Sequence, residues 1–322
     1  MRALIIAAYV GPLPELMGLW LRSAGRNPEF DFLVVSDQAA PADLPANVRF
    51  ARQDLADMRQ RFDAVTGLQT ALSVPYKLCD FKPLYWALAD DLAAYDYWGF
   101  CDLDVVWGRL ADLLPSDWGR YDALLAEGHL RLFSNSAAMR DLYRHPENPI
   151  DWRAALSELR IFGLDEHNGI NRALARDHTV SWYSDPTLIA DIDPDFRQFR
   201  RLSELPNWRL QAFHWQDGRI FHEWVDKGRH CQQELLYIHL QKRKLEITPG
   251  CQSAPAFNID PGGIVPRERG DGEAARIALR NPWYFPNISE ARILLREWRR
   301  RLLGRAGHFG PIDRPSGEGH QA

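Results

Sequence analysis

The 322-residue chain has few cysteines, no long apolar run and no excess of positive charge. Its four cysteines form no C-x-x-C pair, so we expect a reducing, cytoplasmic compartment. No stretch approaches the roughly 18 apolar residues that span a bilayer, and the N-terminal apolar run is too short for a signal peptide with its cleavage site. A net charge of −4 argues against general nucleic-acid binding, which usually requires a basic surface. We find no internal repeat.

What is present is typical of a globular protein that can bury a sizeable core: 46% of the residues are hydrophobic and 25% are charged. The first hundred residues alternate short apolar runs with helical patterns. Strands are predicted at 4–9, 32–35, 48–50 and 95–101. One helix is predicted to end near 23 and another to start near 54. A third starts at Asp80, where Pro83 is tolerated in the first turn. This order predicts a mixed, mainly parallel α/β sheet flanked by helices.

The second half is more mixed. Strands are predicted at 122–126 and 130–133, and helices at 136–143 and 165–174. Residues 210–215 and 220–224 flank an Asp217-Gly218 step, which predicts a β-hairpin, and residues 261–273 are predicted to form a loop. We expect a catalytic domain over residues 1–250, a C-terminal extension over 251–303 and a disordered tail over 304–322.

The extension contains a basic amphipathic pattern. Apolar residues recur at helical spacing among a cluster of arginines: Ile288, Ala291, Leu295, Trp298 and Leu302, with Arg292, Arg296, Arg299, Arg300 and Arg301. Such a helix can lie on an anionic membrane surface. The alternative is a terminal helix that packs on the domain and keeps a solvated basic face.

Asp102-Leu103-Asp104 is the most informative segment. It follows the apolar run 95–101, which predicts a buried strand, and burying an unpaired carboxylate inside a sheet is costly. At the carboxyl end of such a strand, however, the crevice of an open α/β sheet binds ligands. Residues two apart in a strand face the same side, so both acids can reach one hard cation such as Mn²⁺ or Mg²⁺.

Two blocks, 76–83 (YKLCDFKP) and 96–104 (DYWGFCDLD), resemble a bacterial family of GT-A-type glycosyltransferases of polysaccharide and cell-surface glycan synthesis. The opening segment 6–14 and the later segment 237–243 fit the same pattern. The resemblance implies a GT-A-like fold and a nucleotide-sugar donor, expected to be a UDP-sugar, whose diphosphate is bridged to the protein by Mn²⁺ or Mg²⁺. It also implies His239 as a late ligand beside Asp102 and Asp104.

Further donor-site residues follow from that resemblance. Lys77, Lys82, Lys242 and Arg243 are candidate phosphate partners, because cations lower the cost of gathering the diphosphate charge. Asp80 belongs to the same block and is placed in the donor site with them. Asp37 can accept hydrogen bonds from a ribose or uracil, and Tyr9 can contact the base. The alternative for Lys77 and Lys82 is a solvated helix start.

On the acceptor side, the resemblance places an acidic pair at 165–169. If the enzyme inverts the anomeric centre, one carboxylate acts as general base on the acceptor hydroxyl; Asp165 is the first choice and Glu166 the second. An N-cap with a first-turn acid is the alternative. The resemblance also places 128–130 and 134–135 at the sugar pocket.

The leading hypothesis is therefore a metal-dependent glycosyltransferase that acts on a glycan or lipid-linked acceptor, with peripheral contact to the inner membrane face. A haloacid-dehalogenase-type phosphohydrolase, with Asp102 as nucleophile and Asp104 as general acid, is an alternative, although the three preceding strands argue against it. A third alternative is a glycan-binding protein without turnover.

Overall fold

The structure of the protein is a computed structural model that describes residues 1–165, 168–202, 205–241, 243–282, 284–302 and 312–314. The strands in this part of the chain are β1 (Ala3–Tyr9), β2 (Phe30–Ser36), β3 (Val48–Arg52), β4 (Tyr97–Cys101), β5 (Val105–Trp107), β6 (Ala123–Glu127), β7 (Leu130–Ser134), β8 (Trp182–Ser184), β9 (Ile189–Asp191), β10 (Gln211–Gln216), β11 (Arg219–Asp226), β12 (Arg229–Leu235), β13 (Tyr237–His239), β14 (Ala256–Asp260), β15 (Gly263–Pro266) and β16 (Ile312–Arg314).

The α-helices are α1 (Met17–Ala24), α2 (Leu55–Thr66), α3 (Leu78–Phe81), α4 (Leu110–Leu113), α5 (Ala137–Arg140), α6 (Trp152–Ser157), α7 (Ile170–Arg176), α8 (Ala274–Arg280) and α9 (Ile288–Leu302). Short 3₁₀ helices cover Pro75–Lys77, Lys82–Leu88, Leu92–Ala94, Trp118–Arg120, Leu142–Arg144 and Pro186–Leu188.

An eight-stranded sheet forms the centre of the molecule, in the order β16-β8-β6-β7-β4-β1-β2-β3. Strands β3, β2, β1 and β4 run parallel, as do β6 and β8. Strand β7 is antiparallel to β4 and β6, and β16 is antiparallel to β8. The predicted mixed, mainly parallel α/β sheet is confirmed.

Strands β1 and β4 are apolar throughout because both faces of the sheet are covered. In β1, Leu4 and Ile6 belong to the core on one face, whereas Ile5 and Ala7 belong to the core on the other. Helix α1 packs beside the second core through the fully buried Trp20. The sheet therefore presents the carboxyl ends of β1, β2 and β4 at one edge.

The predicted continuous helix after Asp80 is interrupted. Helix α3 ends at Phe81 and a 3₁₀ helix continues through Lys82–Leu88, because Pro83 has no N–H with which to extend the α-helical ladder. The expected apolar residues are still buried, Phe81 and Leu84 completely.

Two smaller sheets follow. One has the order β12-β11-β10-β14-β15, and the other has the order β5-β13-β9. The predicted hairpin is confirmed: β10 pairs antiparallel with β11, and Asp217 and Gly218 both have positive φ, at 48° and 93°, as a type I′ turn requires.

The C-terminal segment departs from the sequence-based expectations in three places. Strand β14 pairs with β10, so the predicted domain boundary at 250 falls inside one sheet. Within the predicted loop 261–273, Gly263–Pro266 forms β15, where the fully buried Ile264 pairs with Ile259. Within the predicted disordered tail, Ile312–Arg314 forms β16; the rest of 304–322 lies outside the described residues.

Helix α9 corresponds to the predicted basic amphipathic helix. Its N-terminal turn is held by Glu290, which accepts hydrogen bonds from the Tyr284 hydroxyl at 2.5 Å and from the Asn287 backbone N–H at 2.7 Å. Among the described residues, no helix combines the length and apolar character needed to cross a bilayer.

Candidate metal and donor site

Asp102 and Asp104 lie between the end of β4 and the start of β5, as the sequence predicts. Three hydrogen bonds to its backbone hold this turn. The Asp102 N–H donates to the His129 carbonyl at 3.2 Å, and the Leu240 N–H donates to the Asp104 carbonyl at 2.9 Å. The Trp20 indole N–H donates to the Asp102 carbonyl at 3.1 Å. Both carboxylates remain partly exposed, at 29% for Asp102 and 35% for Asp104.

The three-stranded sheet β5-β13-β9 places His239 beside these acids. In its register, His239 on β13 is opposite Val105 on one side and Asp191 on the other. The imidazole Nε2 lies 3.2 Å from Asp104 Oδ1, and Nδ1 lies 2.7 Å from Asp191 Oδ1. Residues far apart in sequence thus meet because two short strands pair with β13.

The ligand atoms of three side chains in this cluster fit a divalent cation. Asp102, Asp104 and His239 each offer one ligand atom, and these atoms lie within 4.8 Å of one another. Two carboxylates and one imidazole suit Mn²⁺, and the carboxylates also suit Mg²⁺. These are the three residues that the sequence proposes as ligands.

The charges in the cluster are tightly paired. Burial lowers the pKa of His239, but hydrogen bonds to Asp104 and Asp191 outweigh it and raise that pKa to about 10. Burial also disfavours the ionised form of Asp191, yet its contacts with His129 and His239 keep the pKa of its carboxyl well below the ordinary value. Without a metal ion, a protonated imidazole therefore balances the carboxylates.

Lys82 connects the D-x-D segment to Asp165. Its ammonium lies 2.8 Å from Asp102 Oδ1 and 3.3 Å from Asp165 Oδ2, and it donates to the Gly128 carbonyl at 2.8 Å. Burial lowers the pKa of Lys82, but Asp102 and Asp165 raise it well above the ordinary value. The three N–H groups of the Lys82 ammonium are taken by these three partners. Lys82 is therefore not free to bind a phosphate, which corrects the expected direct contact between Lys82 and the diphosphate.

Lys77 and Asp80, also predicted at the donor site, are completely buried. The Lys77 ammonium donates to Asp80 Oδ2 at 2.7 Å and to the carbonyls of Ala155 and Arg160 at 2.7 and 2.6 Å. The Asp80 carboxylate in turn accepts backbone N–H groups from the loop 162–164. This pair therefore fastens the loop that leads to Asp165, and it cannot touch a diphosphate because no part of it is exposed.

Asp165 lies in this loop and not at a helix start, since α7 begins only at Ile170 with Gly169 as its N-cap. Asp165 is 1% exposed. The second predicted base, Glu166, and the predicted phosphate partner Lys242 lie outside the described residues. Arg243 donates to the carbonyls of Asp193 and Phe196.

Tyr9 and Asp37 lie at the same edge of the large sheet as the D-x-D turn. Tyr9 ends β1 and pairs with Ser36 at the end of β2, and Asp37 follows directly. Asp37 Oδ1 accepts the Gly11 backbone N–H at 2.9 Å, and this hydrogen bond lowers the pKa of Asp37. Both residues are partly exposed, so they are available to a ligand.

The segments 128–130 and 134–135 separate. His129, at the start of β7, stacks on His239 with ring centroids 4.2 Å apart. Asn135 lies beyond the other end of β7 and donates to the Leu92 and Tyr95 carbonyls. A five-residue strand is about 17 Å long, so 134–135 cannot line the same pocket as His129.

Sequence reasoning missed Asp191, although a signal was present. Asp191-Ile192-Asp193 follows the apolar residues 188–190, which repeats the pattern of an apolar run ending in D-x-D. Because β9 has three residues and its partner His239 is 48 positions away, local periodicity gives no indication of the pairing.

Residues 5–268 match a family described as "Family of unknown function (DUF6625)". In sequence, the chain matches none of the curated proteins. Solved structures similar to it include the galactosyltransferase LgtC in complex with donor and acceptor sugar analogues, at 13% identity over 58% of this chain and 75% of that chain, with a TM-score of 0.34.

Two further structures are the apo-form glycosyltransferase GlyE of Streptococcus pneumoniae TIGR4 and mouse xyloside xylosyltransferase 1. The first is 12% identical over 59% of this chain and 46% of that chain, with a TM-score of 0.34. The second is 9% identical over 60% of this chain and 89% of that chain, with a TM-score of 0.38. At such distances these similarities carry no weight for the chemistry of this chain.

Proposed function

The chain belongs to a family of unknown function (DUF6625), and we propose that it is a metal-dependent glycosyltransferase that uses a nucleotide-diphosphate sugar, expected to be a UDP-sugar. The observation that carries the proposal is the convergence of Asp102, Asp104 and His239 ligand atoms within 4.8 Å at the carboxyl edge of the large sheet. A cation held there suits a diphosphate donor, because charge gathers on the phosphate oxygens as the sugar is transferred.

Asp104 and His239 would hold the metal directly, and Asp102 would complete the set while Lys82 balances its charge. Bound Mn²⁺ or Mg²⁺ would supply Lewis-acid stabilisation of the leaving nucleoside diphosphate. At the same edge, Asp37 is positioned by Gly11 to accept a ribose or base hydrogen bond, and Tyr9 offers an aromatic side chain to the base.

On the acceptor side, Asp165 remains the proposed general base if the reaction inverts the anomeric centre. Its carboxylate lies 3.3 Å from the Lys82 ammonium, which also contacts Asp102. Since Asp165 is 1% exposed, Lys82 would have to move aside before an acceptor hydroxyl reaches this carboxylate, and the acceptor would then sit next to the proposed metal ligands. We propose a glycan or lipid-linked acceptor.

A lipid-linked acceptor agrees with a peripheral position on the inner membrane face. In and near α9, large apolar side chains are exposed: Phe285 by 83%, Ile288 by 75%, Leu295 by 49% and Trp298 by 58%. The exposed Arg292, Arg296 and Arg299 lie among them. Apolar and cationic side chains together favour an anionic bilayer surface.

The test is a donor screen. The purified full chain is incubated with several nucleotide sugars and Mn²⁺, and released nucleotide is measured with and without candidate acceptors. We expect release with one donor class, its loss with EDTA, and its loss in Asp104→Asn. The matched control is Asp185→Asn, a buried carboxylate that accepts from Thr187 away from the site. Binding of UDP that is the same with and without Mn²⁺ would contradict the proposal.

The same samples distinguish the two alternatives. A phosphohydrolase would release phosphate from a monoester and form a trappable phosphoaspartate at Asp102. A glycan-binding protein would bind sugar and leave every nucleotide-sugar donor intact. It would not catalyse even slow hydrolysis of the donor by water.

A further inference from the structure

We propose that Asp191 is a positioning residue that fixes the ring orientation and tautomer of His239 for metal binding, and that it acts through His239. The inference rests on the proposed function, since it concerns the same metal. A metal-binding histidine commonly donates its second ring N–H to a carboxylate, which orients the ring and strengthens the ligand.

The geometry satisfies this arrangement. His239 Nδ1 lies 2.7 Å from Asp191 Oδ1, while Nε2 faces Asp104 at 3.2 Å. The neutral ring carries one N–H, and with that N–H on Nδ1 the Nε2 lone pair is available to the metal. Asp191 therefore selects the tautomer that points a lone pair toward Asp102 and Asp104.

Asp191 is itself held firmly. Its backbone is fixed by the parallel pairing of β9 with β13, in which Asp191 is directly opposite His239. Gln241 Nε2 donates to the same oxygen, Asp191 Oδ1, at 2.9 Å. The side chain is 14% exposed, so little water competes for the hydrogen bond.

One face of the His239 ring packs against the ring of His129. The two rings stack at 30° with centroids 4.2 Å apart, and His129 Nε2 lies 3.5 Å from Asp191 Oδ2. This distance is too long for a strong hydrogen bond, so His129 contributes mainly by packing. One carboxylate and one buried ring together leave His239 a single orientation.

The experiment is a double-mutant cycle on Mn²⁺ affinity, read from the electron paramagnetic resonance signal of free Mn²⁺ in the absence of any sugar. Asp191→Ala should weaken binding roughly 10- to 100-fold. In a His239→Ala background the same change should have no further effect, because the residue through which Asp191 acts is gone. Asp191→Asn keeps the shape and should give an intermediate loss.

Asp185→Asn, on the chain just before β9, is the control and should retain the wild-type affinity. Thermal unfolding of every variant verifies that it is folded. Equal losses from Asp191→Ala in both backgrounds, wild-type affinity in Asp191→Ala, or two Mn²⁺ ions per chain with one lost on Asp191→Ala would each overturn the positioning role. Failure of the wild-type chain to bind Mn²⁺ would instead overturn the metal dependence of the proposed function and this inference with it.

Discussion

The ammonium of Lys82 lies 2.8 Å from Asp102 Oδ1, and the Lys82 side chain is only 9% exposed. The ammonium is almost enclosed although Asp102 is 29% exposed, and Asp165 is a second anion on the same ammonium at 3.3 Å. Removing one partner of a buried ion pair leaves an uncompensated charge, which is far more costly than losing a surface pair. Lys82 is therefore expected to be necessary for stability as well as for the arrangement of the proposed metal ligands.

Lys82→Met should lower the free energy of unfolding by about 3–5 kcal/mol, because Asp102 and Asp165 would lose the ammonium that lies between them. Urea denaturation followed by tryptophan fluorescence measures this loss. Lys244→Met, at an exposed position, is the matched control and should change stability by less than about 0.5 kcal/mol. Similar midpoints for the two variants would show that the ion pair contributes nothing net.

Asp165→Asn separates a general base from a residue that only neutralises Lys82. A base should lose about 10²- to 10⁴-fold in kcat, while the KM for donor and the Mn²⁺ affinity stay unchanged. A residue acting through Lys82 and Asp102 should also weaken Mn²⁺ binding. Steady-state kinetics and Mn²⁺ titration of the same preparation distinguish the two, with Asp185→Asn as the control for loss of a buried carboxylate. An unchanged kcat would exclude the base role.

The parts of the molecule that were predictable from sequence are those fixed by neighbouring residues. Strands β1 and β4 and residues 32–35 of β2 are continuous apolar runs, and the Asp217-Gly218 turn specifies its hairpin through two positive φ angles. The D-x-D turn follows from its place after β4. In each case, a few adjacent residues carry the whole signal.

The remaining features depend on distant partners. Lys77 resembled a phosphate-binding cation because its sequence neighbours do not reveal the carbonyls it meets, which lie 78 and 83 residues away. Asp191 was missed because β9 acquires its meaning only by pairing with β13. A residue type indicates which interactions a side chain can make. Only the fold determines whether that side chain contacts a substrate or another buried group.

The five-stranded sheet supports a prediction on pH. Burial raises the pKa of Asp260 to about 6, against the opposing effect of Arg280, whose Nε donates to Asp260 Oδ1 at 3.1 Å. Glu223 and Asp271 also face this cluster and add to the rise. Since the folded-state pKa is above the unfolded value, this group stabilises the fold below about pH 4, and that contribution is lost as the pH rises through about 6.

The free energy of unfolding of Asp260→Asn should therefore rise relative to that of the wild type as the pH increases from about 4 to 7, by up to about 3 kcal/mol. Urea denaturation at several pH values gives this difference, and the change with pH is informative even if the variant is less stable overall. Asp226→Asn, an exposed acid on the neighbouring strand β11, should show no such trend. If Asp260→Asn loses more stability at pH 7 than at pH 4, the Arg280 ion pair outweighs burial and the sign is wrong.

The exposed face of α9 supports the last prediction. The full chain should sediment with vesicles containing anionic phosphatidylglycerol and much less with phosphatidylcholine vesicles, because each Arg near an anionic surface contributes about 1 kcal/mol. Changing Arg292, Arg296 and Arg299 to Gln should reduce the partition coefficient roughly 100-fold, and raising the salt concentration should reproduce part of that loss.

The apolar side chains of the same face should matter independently of charge. Trp298→Ser removes a side chain that is 58% exposed, and it should weaken binding several-fold without altering the salt dependence, since burial of aromatic surface is insensitive to salt screening. A triple change of Arg52, Arg59 and Arg172 to Gln, all exposed elsewhere, removes the same total charge and should leave binding nearly intact. Equal losses from the two arginine triples would mean that the overall charge of the chain, and not α9, attracts it to the vesicle.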